Sequence, residues 1–132
     1  MSAPARTSRP WWLTVLAVVC AAAFVINVAR DLLFLELRYT EVWFGFEVKG
    51  LAALATAPLH WLIFAVGAWA SWNRLPWAVP AAAAYVFYVA FSHLVWSEVS
   101  ANGRGWPIGL SQAAGISLFG MLLLYSRRNE AR

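Results

Sequence analysis

"GLAALATAPLHWLIFAVGAWASW", residues 50–72, is the stretch whose reading decides the fold. It contains no acid, lysine or arginine, and its one strongly polar side chain is His60. As an α-helix rising 1.5 Å per residue, a run of this length crosses about 30 Å, the thickness of a bilayer's hydrocarbon core. A helix satisfies its own backbone hydrogen bonds in lipid. A membrane-crossing strand would alternate polar and apolar side chains, and this run does not.

Three more runs have the same character. Trp11 to Ala29 precedes it; Trp77 to Trp96, with Ser92 and His93, and Pro107 to Tyr125, with Ser111, Gln112 and Ser117, follow. The pattern predicts an all-α, polytopic membrane protein: one domain over residues 1–132, an antiparallel four-helix transmembrane bundle with helices at about 11–29, 48–71, 77–97 and 107–126. The first run follows a basic start and resembles a signal peptide, but its length is nearer that of a span, so it reads as an uncleaved first helix. Of the 132 residues, 62% are hydrophobic and 12% charged, against roughly 45–50% and about 25% in soluble domains. The main solvent of this chain is the lipid bilayer. The single Cys20 can form neither an internal disulfide nor a CxxC pair.

The turns fit the bundle. "SWNRLPW" (71–77) joins helices two and three, and "SANGRGWP" (100–107), with its Asn102-Gly103 turn dipeptide, joins three and four. Pro58 in the middle of helix two predicts a kink and a freed carbonyl near Leu54. The long first connection, "RDLLFLELRYTEVWFGFEV" (30–48), mixes Arg30, Asp31, Glu36, Arg38 and Glu41 with large apolar side chains. That mixture predicts a partly helical connection with an interfacial segment over residues 30–46.

Net charge is +4, yet the ten basic residues form no stripe, which argues against nucleic acid as a partner. Arg6, Arg9, Arg74, Arg127, Arg128 and Arg132 face only Glu130 on one side of the bundle. Arg30, Arg38, Lys49 and Arg104 face Asp31, Glu36, Glu41, Glu47 and Glu98 on the other. The side richer in basic residues stays cytoplasmic, so both termini are expected inside, in a cell membrane of the bacterial inner-membrane type. Trp11, Trp12, Trp43, Trp72, Trp77, Trp96 and Trp106 fall near predicted helix ends, as an aromatic belt requires.

The acids gather on one face, and that asymmetry is the main functional signal. The stretch "SHLVWSEVSANGRGWPIGLSQ" (92–112) brings His93, Glu98, Asn102, Arg104 and Gln112 there, beside Asn27, Glu47 and Lys49. Counting depth from the turn at Arg74 puts Glu98 level with Lys49 and predicts an ion pair between them. The expected catalytic candidates are His93 as proton-transfer group, with Glu98 and Glu47 as acidic partners. Lys49, His60, Trp61, Tyr88, Trp96, Arg104 and Gln112 are the expected ligand-binding groups, with the aromatics as apolar walls. Each has a plainer reading. The rim charges serve as solvated ion pairs, His93 holds a carbonyl or Ser97, and His60 bonds the carbonyl freed by Pro58.

Metal and cofactor signals are weak. His60 and His93 differ in depth by about 7 Å, which disfavours a bis-histidine haem. Zinc needs three or four ligands, and His93 and Glu98 lie about 140° apart around one helix. No metal is expected, the cofactor is unknown, and no Walker, HExxH, GxSxG or CxxC motif occurs. Gly109, Ala113 and Ser117, four residues apart, favour close helix packing within the bundle over self-association.

Four spans, a long first connection, Glu47 at the start of helix two, Pro58 within it and Glu98 ending helix three give a layout similar to the sterol-isomerase and sigma-2-receptor-like membrane fold, over about 110 residues. The resemblance implies an aromatic pocket with acidic groups that takes lipophilic amines or sterols. The expected function is to bind a lipophilic small molecule, with its transformation left open, in a pocket near the extracytoplasmic face. One alternative is a non-catalytic accessory or assembly subunit that meets a membrane-protein partner. Another is an oligomeric ion or proton conduit through His60 and His93.

Overall fold

The structure is a computed structural model that describes residues 9–33 and 40–130, with the side chain of Glu130 outside the description. Its elements are α1 (Trp11–Leu33), β1 (Thr40–Trp43), β2 (Phe46–Lys49), α2 (Leu51–Trp72), α3 (Ala78–Val99) and α4 (Trp106–Glu130). All four helices are long and apolar enough to cross a membrane. The fold is all-α apart from the two short strands, and the protein is a multi-pass membrane protein. Large apolar side chains such as Val25, Leu59, Leu118 and Leu122 point outward. On a soluble monomer so much exposed apolar surface would drive aggregation; here it faces lipid.

The helices pack as two antiparallel pairs, α1 along α2 and α3 along α4, while α2 and α3 meet at few points. Small residues let each pair approach closely. A Cβ on Gly67 would lie 3.2 Å from the Cys20 sulfur, and one on Gly109 would lie 2.6 Å from the Ser97 Cβ. Ala113 is buried, and Gly120 sits against the Phe87 ring. The small side chains of α4 thus serve packing within the bundle. The two pairs join at the end nearer the termini through a cluster of Leu13, Leu16, Val79, Ala83 and Leu123.

At that same end α2 closes with paired backbone bonds, Leu75 N–H to the Ala70 carbonyl (2.9 Å) and Arg74 N–H to the Ser71 carbonyl (3.3 Å). Arg74 takes the left-handed conformation that this cap requires, with φ +55°. The Arg9 guanidinium donates to the Trp72 and Ser71 carbonyls at 2.9 and 3.1 Å. A cation there complements the negative end of the helix dipole. Pro58 lies inside α2, which continues unbroken through it.

The first connection differs from its prediction. Arg30 to Leu33 extend α1, and residues 40–49 form an antiparallel hairpin where an interfacial helix and the start of helix two were expected. Glu36 and Arg38, like Arg6 and Arg132, lie outside the described residues. The physical reason is local. "TEVW" and "FEVK" are β-branched and aromatic segments around Phe44-Gly45, and both turn residues have positive φ, +53° and +88°. That is the turn that suits the twist of a two-residue hairpin. A phenylalanine in the left-handed region costs about 1–2 kcal/mol. Its contacts offset this: the Phe44 N–H donates to the Tyr88 hydroxyl at 3.1 Å, and its ring meets the Tyr88 ring edge-on at 5.1 Å.

The hairpin does not lie on the surface. Tyr88, which receives its tip, lies eleven residues before the end of α3 at Val99, about 16 Å along the axis. The tip therefore meets α3 about halfway along that apolar helix. Non-helical backbone at that depth is tolerated only when protein covers it. Here α2 flanks one side, where Trp43 stacks on His60, and α3 flanks the other.

Candidate functional site

A chain of buried polar contacts holds the hairpin to α1 and α2. Asp31, in the last turn of α1, is only 2% exposed. Its Oδ1 accepts from Arg30 Nε and its Oδ2 from Trp61 Nε1, both at 2.8 Å. Arg30 Nη2 also reaches Glu41 Oε1 at 3.1 Å, and Glu41 Oε2 lies 2.9 Å from His60 Nδ1. The His60 ring stacks on Trp43 with centroids 4.2 Å apart and planes 16° apart. Two carboxylates share one guanidinium. The Asp31 and Glu41 carboxylates are buried while the Arg30 guanidinium is about half exposed, at 46%, so solvent screens the cation and the loss of one partner costs less than in a fully buried pair.

A second clamp fixes β2 to α3. Glu47 Oε1 accepts from Ser100 Oγ at 2.7 Å and from Trp96 Nε1 at 3.1 Å, while Oε2 pairs with Lys49 Nζ at 3.3 Å. The Ser100 hydroxyl first, then the Trp96 indole and Lys49, hold the Glu47 carboxyl below its usual range. Both oxygens of Asp31, Glu41 and Glu47 are engaged. Asp31 ties α1 to α2, Glu41 and Glu47 fasten the hairpin, and each carboxylate oxygen already has a partner.

The other expected site residues are dispersed. His93 lies on an exposed face of α3, with Nδ1 3.2 Å from the Val89 carbonyl oxygen. Glu98, Arg104 and Gln112 are exposed and make no polar side-chain contact among the described residues. Lys49 pairs with Glu47 in its own strand, so the expected Glu98–Lys49 pair does not form. Of the expected aromatics, Trp61 binds Asp31, Trp96 binds Glu47, and Tyr88 receives the hairpin tip. Glu41, Trp43 and Ser100 were not among the expected site residues. The signal for them was the period-two pattern around Phe44-Gly45, which makes residues 40–49 a hairpin.

Space for a ligand lies elsewhere, between the two helix pairs on the terminal side of the hairpin. A cavity of about 620 Å³ is walled by Leu16, Val19 and Cys20 of α1, Leu62, Ile63, Phe64, Val66 and Gly67 of α2, Trp77 just before α3, Ala81, Ala82, Tyr85, Val86 and Val89 of α3, and Ile116, Phe119 and Leu123 of α4. It extends from the foot of α3 to Val89, eleven residues above Ala78, or about 16 Å. The expected pocket was at the opposite, acid-rich face.

The walls are almost wholly hydrocarbon, and among the described residues the one that brings a hydroxyl is Tyr85. The Tyr85 ring meets Phe64 edge-on at 5.7 Å and tilts against Tyr88 at 5.8 Å. An aromatic series, Phe64–Tyr85–Tyr88–Phe44, thus joins the cavity wall to the hairpin tip. Among the described residues no acid or base lines the cavity. A lipophilic amine, one ligand class implied by the resemblance in layout, would find no free carboxylate there. Among the described residues no group of three or more His, Cys, Asp or Glu side chains is placed to hold a metal ion. Comparison of the chain with protein-family models, with curated proteins and with solved structures finds no match in any of the three.

Proposed function

We propose that this multi-pass membrane protein binds a lipophilic small molecule within the bilayer, in the cavity between the α1–α2 and α3–α4 pairs. The observation that carries this reading is the cavity itself. Between the helix pairs a partly open, apolar-walled recess of about 620 Å³ remains. That volume falls in the range of roughly 300–1,000 Å³ typical of small-molecule sites. The sparse contact between α2 and α3 offers a lateral route from lipid, and the hairpin closes the upper end of the same crevice. With Arg9, Arg74, Arg127 and Arg128 on the cytoplasmic side, the site opens in the inner-leaflet half.

Binding is favoured over acid–base catalysis by the polar groups, because the buried carboxylates already have partners. The test is gentle purification from the native membrane followed by mass spectrometry of co-purifying small molecules. It is run beside Ala81→Phe, which places a ring in the cavity wall. A reproducible lipophilic molecule, near-stoichiometric in the wild type and depleted in Ala81→Phe, supports the reading. A co-purifying polypeptide with no retained molecule would replace it with the accessory-subunit alternative.

A further inference from the structure

We infer that Tyr85 selects the ligand, and that the ligand is an uncharged lipid recognised through one hydrogen-bond-accepting oxygen, a carbonyl or a hydroxyl; this rests on the cavity reading above. The Tyr85 hydroxyl takes no hydrogen bond among the described residues, although it belongs to a half-buried side chain. The hydroxyl is not sealed inside the protein, and in a hydrocarbon surround an acceptor that reaches an unpaired donor is favoured. The neighbouring Tyr88 shows the contrast, since its hydroxyl accepts the Phe44 N–H. Phe64 and Tyr88 flank the Tyr85 ring on two sides, so the hydroxyl oxygen is placed before a ligand arrives and its proton turns to meet the acceptor.

The rest of the wall defines what the ligand lacks. The remaining heteroatoms are the Cys20 sulfur, a weak partner, and the indole of Trp77, at the foot of α3 in the interfacial belt. Among the described residues no cationic or anionic side chain lines the cavity, and the nearby Glu41 carboxylate is already paired with Arg30 and His60, so a phosphate, carboxylate or ammonium group would be buried there without a free counter-charge, at high cost. A hydrocarbon body with a second polar group would leave that group unpaired. A long-chain ketone or alcohol meets every condition.

The test uses the full chain in detergent on scintillation beads, with tritiated hexadecan-1-ol as tracer and unlabelled hexadecan-2-one and hexadecane as competitors. In the wild type the ketone should displace tracer at about 3- to 10-fold lower concentration than the hydrocarbon, the worth of one net hydrogen bond. In Tyr85→Phe the difference should vanish while hexadecane competes as before. No difference in the wild type, or one that persists in Tyr85→Phe, overturns the selection by Tyr85. The cavity reading survives that result if Ala81→Phe abolishes tracer binding. Absence of specific tracer binding, or binding unchanged by Ala81→Phe, overturns the cavity reading itself. Infrared spectroscopy of carbonyl-labelled hexadecan-2-one on the wild type needs no variant: a lowered stretch frequency is expected, and the frequency of an unbonded ketone overturns the inference.

Discussion

Gly45→Ala should unseat the hairpin tip, and the size of the effect can be worked out. The backbone at Gly45 has φ +88°, a region where a residue with a Cβ carries a penalty of about 1 kcal/mol. A Cβ built there lies 2.3 Å from the Val95 Cβ and 2.9 Å from the Ser92 carbonyl oxygen. Carbon atoms in comfortable contact stand about 3.5–4.0 Å apart, so the tip must retreat by more than about 1 Å or α3 must bend. Overpacking of this kind costs about 1–3 kcal/mol, and the Phe44–Tyr88 hydrogen bond lengthens with the retreat. The expected total is about 2–4 kcal/mol, read by reversible unfolding in mixed dodecyl sulfate and maltoside micelles with tryptophan fluorescence. A second change sharpens the test. Val95→Ala leaves the offending Cβ in place and should not rescue; Val95→Gly removes it and should recover part of the loss, less about 1 kcal/mol for a helical glycine. Stability of Gly45→Ala within about 0.5 kcal/mol of the wild type, or equal rescue by both second-site changes, would refute the reasoning.

The remaining predictions concern the clamps and the helix pairs. Asp31→Leu leaves the Trp61 indole N–H unpaired and takes one of two carboxylates from Arg30; a loss of about 2–4 kcal/mol is expected, with Asp31→Asn milder, and thermal size-exclusion chromatography ranks the two. Because the Glu47 carboxyl is held below its ordinary value of 4.5, its contribution is full above about pH 4.5 and fades as pH falls through the lowered value. The melting temperature should drop over that acid window in the wild type, and Glu47→Gln should lack this part of the drop. Gly109→Ala must push against Ser97 and should destabilise the α3–α4 pair. Gly115→Ala meets nothing within 4 Å and should stabilise by about 0.5–1 kcal/mol; the same unfolding assay checks both, and equal effects would contradict the packing described.

The four helices were legible because each is a continuous apolar run, and no competing structure satisfies the backbone of such a run in lipid. The concentration of acids at one end was legible too. The hairpin was not, because "TEVWFGFEVK" lacks the Asn-Gly or Asp-Gly signature, and its turn draws support from Tyr88 and Val95, far along the chain. That error propagated to the partners. Depth counting treated Lys49 as part of a helix facing Glu98, whereas in a strand Glu47 and Lys49, two residues apart, project to the same side. Depth also says nothing of direction around an axis. Ser92 is buried and His93, one residue and about 100° further round α3, is exposed. The cavity left no mark in sequence, since the side chains that line it are of the same kinds as those that face lipid.

The order of synthesis gives the inserted hairpin a further consequence. Gly45 leaves the ribosome fifty residues ahead of Val95, the side chain it rests against, and Glu47 leaves 53 ahead of Ser100. At about 5–20 residues per second, the hairpin waits roughly 3–10 s for the wall that covers it. During that interval its unpaired strand edges and its carboxylates cannot enter hydrocarbon without severe cost. It must remain in the headgroup region until α3 has been threaded. Descent of the hairpin is therefore a late event of biogenesis, and a chain arrested after α2 would display residues 40–49 at the membrane surface, open to a water-soluble protease that cannot reach them in the finished protein.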